Sequence, residues 1–256
     1  MVKTFIDIAV TCSLFQRRLC WMMSSVMQQQ GNVPDITFSV AYPADDGIPT
    51  TEEVCAFFKS KGLKIREQRY PDFDSFQFRG IVRNRQLAET NAEWILFSDA
   101  DMSYSPFFFE DLSQQVEGDL KDETLCITGA RISLDKEYCT TYFNKKDDHT
   151  YPCVVDRAGE LDDWPCRMVR RSKYSRNVGA GYFQLANVAH IRKEHGGLYV
   201  PPDHCGDRPL KTGQLIKSDR RFRNILGGIK RIYVKPQFHL NHERDRVDGN
   251  HMTNQR

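Results

Sequence analysis

Short β-branched apolar runs alternate with longer runs of helical period along the first half of this chain. That alternation limits the folds open to it more than any other feature. Thr4 to Val10 is one such run, Ile36 to Tyr42 a second, Leu63 to Tyr70 a third and more polar one, Trp94 to Ser98 a fourth, and Thr124 to Ala130 a fifth. Between the first two, Phe15, Leu19, Met22, Met23 and Val26 recur at helical spacing, with Ser13 placed to cap that helix and Gly31 to stop it. Residues 51–62 put Glu52 and Glu53 in a first helical turn, where the helix dipole favours acidic groups. Helices are predicted over 79–92 and over 106–117, the latter with Pro106 at its first position. Strand and helix in turn predict an α/β chain: a mainly parallel central sheet with helices on both faces. Such sheets bind ligands at the carboxyl ends of their strands.

From Arg131 to Ser175 the alternation dissolves into a polar, aromatic-spotted stretch. It is too long for a bare loop and is predicted to hold a hairpin or subdomain laid over the sheet as an inserted lid. Order resumes around Gly179 and Gly181, followed by a helix over 217–228 and a last strand over 229–235.

The fourth apolar run drives straight into Asp99-Ala100-Asp101. At the end of a parallel strand, those carboxylates stand where ligands sit. Both can turn to one hard cation if the strand kinks, or one can take a ribose while the other takes the metal. Oxygen ligation suits magnesium or manganese, which keep several waters and bridge substrate phosphates. The pattern by itself is weak. With 34 acidic residues it arises by chance, and Asp72 to Asp74 repeats it.

Composition narrows the class. A chain with 40% hydrophobic and 27% charged residues reads as soluble and globular, and none of its runs approaches the roughly 20 apolar residues of a spanning helix. The opening MVKTFIDIAV has too short an apolar stretch for a secretory leader, which points to a cytoplasmic protein. The eight cysteines form no C-x-x-C pair; that argues against a zinc knuckle and favours reduced, buried thiols. The net charge of +2 names no partner, yet it is unevenly spread. Arg170, Arg171, Lys173 and Arg176 lead into NVGAG, and Lys217, Arg220, Arg221 and Arg223 surround Asp219. With Trp164, Tyr174, Tyr182 and Phe183 interleaved, this half is either a solvated face with one or two phosphate contacts or a track for a polyanion. Nucleic acid is one such polyanion, and an enzyme modifying a duplex base must flip it out.

Several stretches, in order, resemble the GT-A glycosyltransferases, especially the large family 2 type. VTCSLFQRRLCWMMSSVMQQ is similar to that family's opening strand, polar turn and helix. RGIVRNRQLAETNAEWILFSDADM resembles its helix and metal strand, GAGYFQLANVAHIRKEHGGLY its acceptor-side segment, SDRRFRNILGGIKRIYV its catalytic helix, and FHLNHE its closing histidines. The resemblance implies a Rossmann-like GT-A domain over 1–256. Its nucleotide-sugar half would be 1–130, its acceptor and catalytic half 131–249, and 250–256 a frayed tail.

Residue by residue, the resemblance implies Thr11 and Ser13 under the nucleotide base, and Asp45 or Asp46 on base or ribose. Arg83 and Asn84 would shape the nucleotide pocket. Asp99 would hold ribose or metal, Asp101 the metal, and His242, or else His239, would be the third ligand. Asp219 would be the general base, with Asp203 and Asp207 as rivals because Ser218 stands where the family has an acidic residue. Gly179, Gly181 and Asp203 would lie on the acceptor side. The implied activity is inverting transfer of a sugar, hexosyl or pentosyl, from a nucleotide sugar (a UDP-sugar first) with Mn2+ or Mg2+. The acceptor hydroxyl would belong to a saccharide, a lipid-linked glycan or a nucleic-acid base. A nucleotidyltransferase is the rival enzyme, though TCSLFQRR lacks the glycines such an enzyme needs. A non-catalytic nucleotide- or glycan-binding module on the same fold is the other alternative.

Overall fold

The computed structural model describes residues 3–44, 46–76, 79–128, 130–135, 137–139, 151–161, 163–164, 166–170, 182–201, 208–209, 215–216, 222 and 229–240. The first half runs β1 (Phe5–Thr11), α1 (Gln16–Met27), β2 (Asp35–Pro43), α2 (Thr51–Ser60), β3 (Lys64–Tyr70), a short α3 (Phe73–Phe76), α4 (Arg79–Glu89) and β4 (Trp94–Asp99). Next come β5 (Met102–Tyr104), α5 (Phe108–Glu117), β6 (Leu125–Ile127), β7 (Ala130–Leu134), β8 (Cys166–Arg170), β9 (Gln184–Asn187) and α6 (Val188–Glu194). Two-residue strands β10 (Arg208–Pro209) and β11 (Leu215–Ile216) precede β12 (Ile229–Arg231) and β13 (Gln237–His239).

The central sheet has seven strands in the order β12-β6-β9-β4-β1-β2-β3. Every pairing in it is parallel except those of β9, which lies antiparallel between β4 and β6. The predicted mainly parallel sheet is therefore the one observed. Alternation along β1 explains its two covered faces. Ile6, Ile8 and Val10 join Leu19 and Met23 of α1, Val54 of α2 and Leu112 of α5 in one core. Ala9 joins Leu87 of α4 and Ile191 of α6 on the other side, with Ile95 and Phe97 of β4. On that second face Asp7 is buried and bonded to Arg66 at 2.6 Å. Burial pushes its carboxyl above the usual carboxylate range, and bonds from Thr90 and Arg66 pull against that.

A smaller sheet, β5-β13-β7-β8, stands beside the first. Strands β7 and β8, which bracket much of the polar stretch, pair antiparallel. Its core is Trp21, Leu134, Cys139, Ala158, Leu161, Trp164, Phe238 and Leu240, with Trp21 edge-on to Trp164 at 4.9 Å.

Helix ends differ from expectation at two places. Leu14 takes a left-handed φ of 61°, so α1 begins at Gln16 with Phe15 at its cap, and Ser13 does not cap it. Pro106 lies in a turn before α5, which starts at Phe108 rather than at the proline. The orphan amide of Phe109 is satisfied from elsewhere, by Gln29 Oε1 at 3.0 Å. By contrast α2 has a capping box: Thr50 Oγ1 accepts from the Glu53 amide at 3.1 Å, and the Glu53 carboxylate accepts from the Thr50 amide at 2.7 Å.

Candidate active site

Thr11 of β1 lies beside both Ala41 of β2 and Asp99 of β4, so three parallel strands finish at one rim. These strands are mostly apolar because both faces are covered, with Asp7 in β1 and Thr37 and Ser39 in β2 as exceptions. In β4 polarity begins only at its end. Asp99, half-buried, closes β4; the chain turns through Ala100 and Asp101 and departs as β5.

β5 pairs antiparallel with β13, setting His239 against Met102. That pairing brings His239 Nε2 to 3.0 Å from Asp101 Oδ2, and both side chains are only 9% exposed. The Leu240 amide donates to the Asp101 carbonyl at 2.8 Å. Arg18, in the first turn of α1, donates through Nε to the Leu240 carbonyl at 3.1 Å. Burial pushes the Arg18 guanidinium below its ordinary value, and the Asp101 charge pulls it back. Carboxylate, imidazole and guanidinium therefore gather at the end of β4, from elements far apart in sequence. Arg18 had no signal in the sequence beyond one of two adjacent arginines, and its neighbourhood exists only once β13 is in place.

Could this end hold a divalent cation? Among the described residues no three His, Cys, Asp or Glu side chains converge on one point. Asp101 and His239 supply one oxygen and one nitrogen donor side by side. A cation of the magnesium or manganese type takes one or two protein carboxylates and draws its other ligands from substrate phosphates and water. The pair fits that need. Of the two candidate histidines, His239 is the one beside Asp101; His242 lies outside the described residues.

The remaining predicted residues divide sharply. Thr11 and Ser13 stand half-buried at the rim. Asp46 is 1% exposed, with its carboxylate accepting from the Thr51 amide at 3.1 Å and from the Thr51 hydroxyl. Burial raises the Asp46 carboxyl, and the Thr51 bonds oppose this. Its backbone carbonyl also accepts from Gln16, which ties the β2–α2 loop to α1. Asp46 therefore fastens the start of α2.

Arg83 and Asn84 are held by their neighbours. Arg83 is buried, donates to the Tyr199 hydroxyl and to Gln184 Oε1, and lies over the rings of Phe97 and Tyr199 at 5.4 and 5.1 Å. Asn84 bonds Val200 both ways, donating to its carbonyl at 2.8 Å and accepting from its amide at 3.0 Å. Both side chains secure the segment Tyr199–Val200. Phe222 stacks on Tyr199 at 4.0 Å, completing the box. Tyr199 and Gln184 were missed in the sequence; a tyrosine after GGL and a glutamine in a short strand carry no pattern of their own.

The interleaved aromatic track is corrected by burial. Trp164, Tyr182 and Phe183 are core residues, 9%, 3% and 0% exposed, so they cannot stack on bases. Tyr174 lies outside the described residues, as do Asp45, Gly179, Gly181, Asp203, Asp207, Asp219 and the basic residues around Asp219.

No protein-family model matches the sequence, and no curated protein matches it. Solved structures do. S. aureus TarS 1–349 in complex with UDP matches 92% of this chain with a TM-score of 0.57 at 12% identity. The mannosyltransferase PcManGT from Pyrobaculum calidifontis, in complex with GDP-Man and Mn2+, also matches 92%, with a TM-score of 0.52 at 12% identity. The chain has a GT-A glycosyltransferase fold. It spans 60% of that TarS chain and 56% of PcManGT. Among the described residues, the GT-A chain has no helix long and apolar enough to cross a membrane.

Proposed function

We propose that this chain is a metal-dependent glycosyltransferase that moves a sugar from a nucleotide-sugar donor, a UDP-sugar first among them, to an acceptor hydroxyl. The observation that carries the reading is the Asp101–His239 pair, 3.0 Å apart at the carboxyl end of β4 in a GT-A fold. Two neighbours of that fold support it, one in complex with UDP and the other with GDP-Man and Mn2+. Residues 1–130 would bind the donor and 131–249 the acceptor, within one domain.

Asp101 and His239, with His242 in reserve and Asp99 on the metal or the ribose, would hold Mn2+ or Mg2+. When bound, the cation supplies Lewis-acid neutralisation of the departing diphosphate, worth several kcal/mol. Thr11 and Ser13 line the rim where the nucleotide would lie. Arg18 secures Leu240 beside the pair and would add positive charge near the leaving diphosphate. Asp219 is the proposed base: placed across the sugar from the diphosphate, it would take the acceptor proton as the oxygen attacks, inverting the anomeric carbon. A saccharide or lipid-linked glycan is the proposed acceptor, since burial of Trp164, Tyr182 and Phe183 removes the aromatic support for nucleic acid.

The test is turnover. Incubated with Mn2+, a mixture of saccharide acceptors and each of UDP-glucose, UDP-N-acetylglucosamine and GDP-mannose, the protein should release the nucleoside diphosphate from one donor and not the others. The sugar should pass to an acceptor hydroxyl or to water. Chelation should stop the release. Equal, metal-independent release from all three, or none from any, would count against the reading and favour a binding module.

A further inference from the structure

Helix α1 carries Arg17, Cys20, Trp21, Ser24 and Gln28 along one side, three or four residues apart. The segment 151–161 runs along that side in matched register. The Arg17 guanidinium lies 4.7 Å from the centre of the Tyr151 ring. The Val155 amide donates to Ser24 Oγ at 2.8 Å. Gln28 donates to the Val155 carbonyl at 2.5 Å and accepts from the Gly159 amide at 3.2 Å. Midway between the Tyr151 and Val155 contacts is Cys153, and midway between Arg17 and Ser24 is Cys20. The register set by these contacts places Cys153 against the helix at the level of Cys20. Both thiols are free; Cys20 is fully buried, whereas Cys153 is partly exposed. One is sealed and one is within reach of solvent.

We propose that Cys20 and Cys153 form a peroxide-sensitive dithiol, which closes to a disulfide and staples segment 151–161 to α1. Hydrogen peroxide is the oxidant. The Cys153 thiolate attacks one peroxide oxygen; the S–O bond forms, the O–O bond breaks and hydroxide leaves. The Cys20 sulfur then attacks the Cys153 sulfur. The S–S bond forms, the S–O bond breaks, and the departing hydroxide takes the Cys20 proton to leave as water. The two sulfurs lose two electrons and the peroxide gains them. Burial raises the Cys153 thiol, with Asp156 adding to this and Arg17 opposing it, and pushes the Cys20 thiol up to about 12, so both steps are slow near neutrality and quicken as pH rises.

The staple reaches the rim through β5. Ser103 donates to the Ala158 carbonyl, and a Cβ added at Gly159 would stand 3.3 Å from the Tyr104 carbonyl oxygen. Ser103 and Tyr104 follow Asp101 almost directly. A disulfide at Cys153 therefore fixes the wall behind the two aspartates.

The experiment treats the full chain with equimolar hydrogen peroxide, alkylates the remaining thiols, digests without reduction and maps the peptides by mass spectrometry. A Cys20–Cys153 linked peptide is expected as the main oxidised product. Dithiothreitol should remove it, and Cys153→Ser should lack it. The oxidised parent should also melt several degrees higher, because the bridge restrains a long loop in the unfolded chain. Conversion of Cys153 to its sulfinic acid with Cys20 unlinked would overturn the proposal. Linkage of Cys153 to any other cysteine, or to a second chain, would do the same. If Cys20→Ser fails to fold, Cys153→Ser, at the partly exposed position, remains the control.

Discussion

Asp101→Asn will abolish manganese-dependent turnover and leave the fold standing. The asparagine matches aspartate in shape, and its side-chain carbonyl can still accept from His239 Nε2, now 3.0 Å from the carboxylate. The Asp101 backbone carbonyl, which accepts from Leu240, is untouched. What the substitution removes is the negative charge and the anionic oxygen that a hard cation needs. A Lewis acid worth several kcal/mol at the leaving diphosphate corresponds to a rate loss on the order of a thousandfold when its ligand is lost. The far-ultraviolet spectrum and melting point should stay close to those of the parent. Undiminished turnover in the folded variant would remove Asp101 from the metal site. A variant that unfolds would instead show that the Asp101–His239 pair is structural, and His239→Gln would then be the informative replacement.

Trp21→Ala should cost the most stability of any single change to the described core, about 3–5 kcal/mol by urea unfolding. Trp21 is 1% exposed and packs edge-on against Trp164 at 4.9 Å; Trp164 in turn meets Tyr138 at 5.0 Å. Edge-to-face pairs add about 0.5–1.5 kcal/mol beyond area burial. The same cluster contains Phe238 and Leu240, which flank His239. Loss of the indole should therefore loosen the seat of β13 and weaken metal affinity, although Trp21 touches neither proposed ligand. A cost below about 1 kcal/mol, judged against the large-to-small range of core changes, would mean that α1 and the small sheet do not share this core.

Much of this was legible in the sequence because both faces of the large sheet are covered. Ile6 to Val10, broken only by Asp7, and Trp94 to Phe97 read as apolar runs, and the helices between them carry apolar residues at helical spacing. The carboxylates after Ser98 were legible for the same reason, since polarity starts where the cover stops. What stayed hidden depends on pairing between distant short segments. Three residues, Met102 to Tyr104, do not read as a strand until Gln237 to His239 lie beside them. Gln184 to Asn187 is likewise too short to reveal an antiparallel strand between two parallel neighbours. Ser13 has the right chemistry for a cap, but Leu14 adopts a left-handed turn and moves the helix start beyond it. Asp46, Arg83 and Asn84 are polar residues whose chemistry suits a pocket equally well. Only the fold reveals that Thr51, Tyr199 and Val200 occupy them.

The central claim is that the end of β4 binds a nucleoside diphosphate through a divalent cation. Calorimetric titration of UDP and GDP into the protein, with Mn2+ and again with chelator, tests it most directly. One diphosphate should bind in the presence of Mn2+, with binding lost on chelation and lost in Asp101→Asn. Absence of binding by either with Mn2+ present, or equal affinity with the metal removed, would contradict the account.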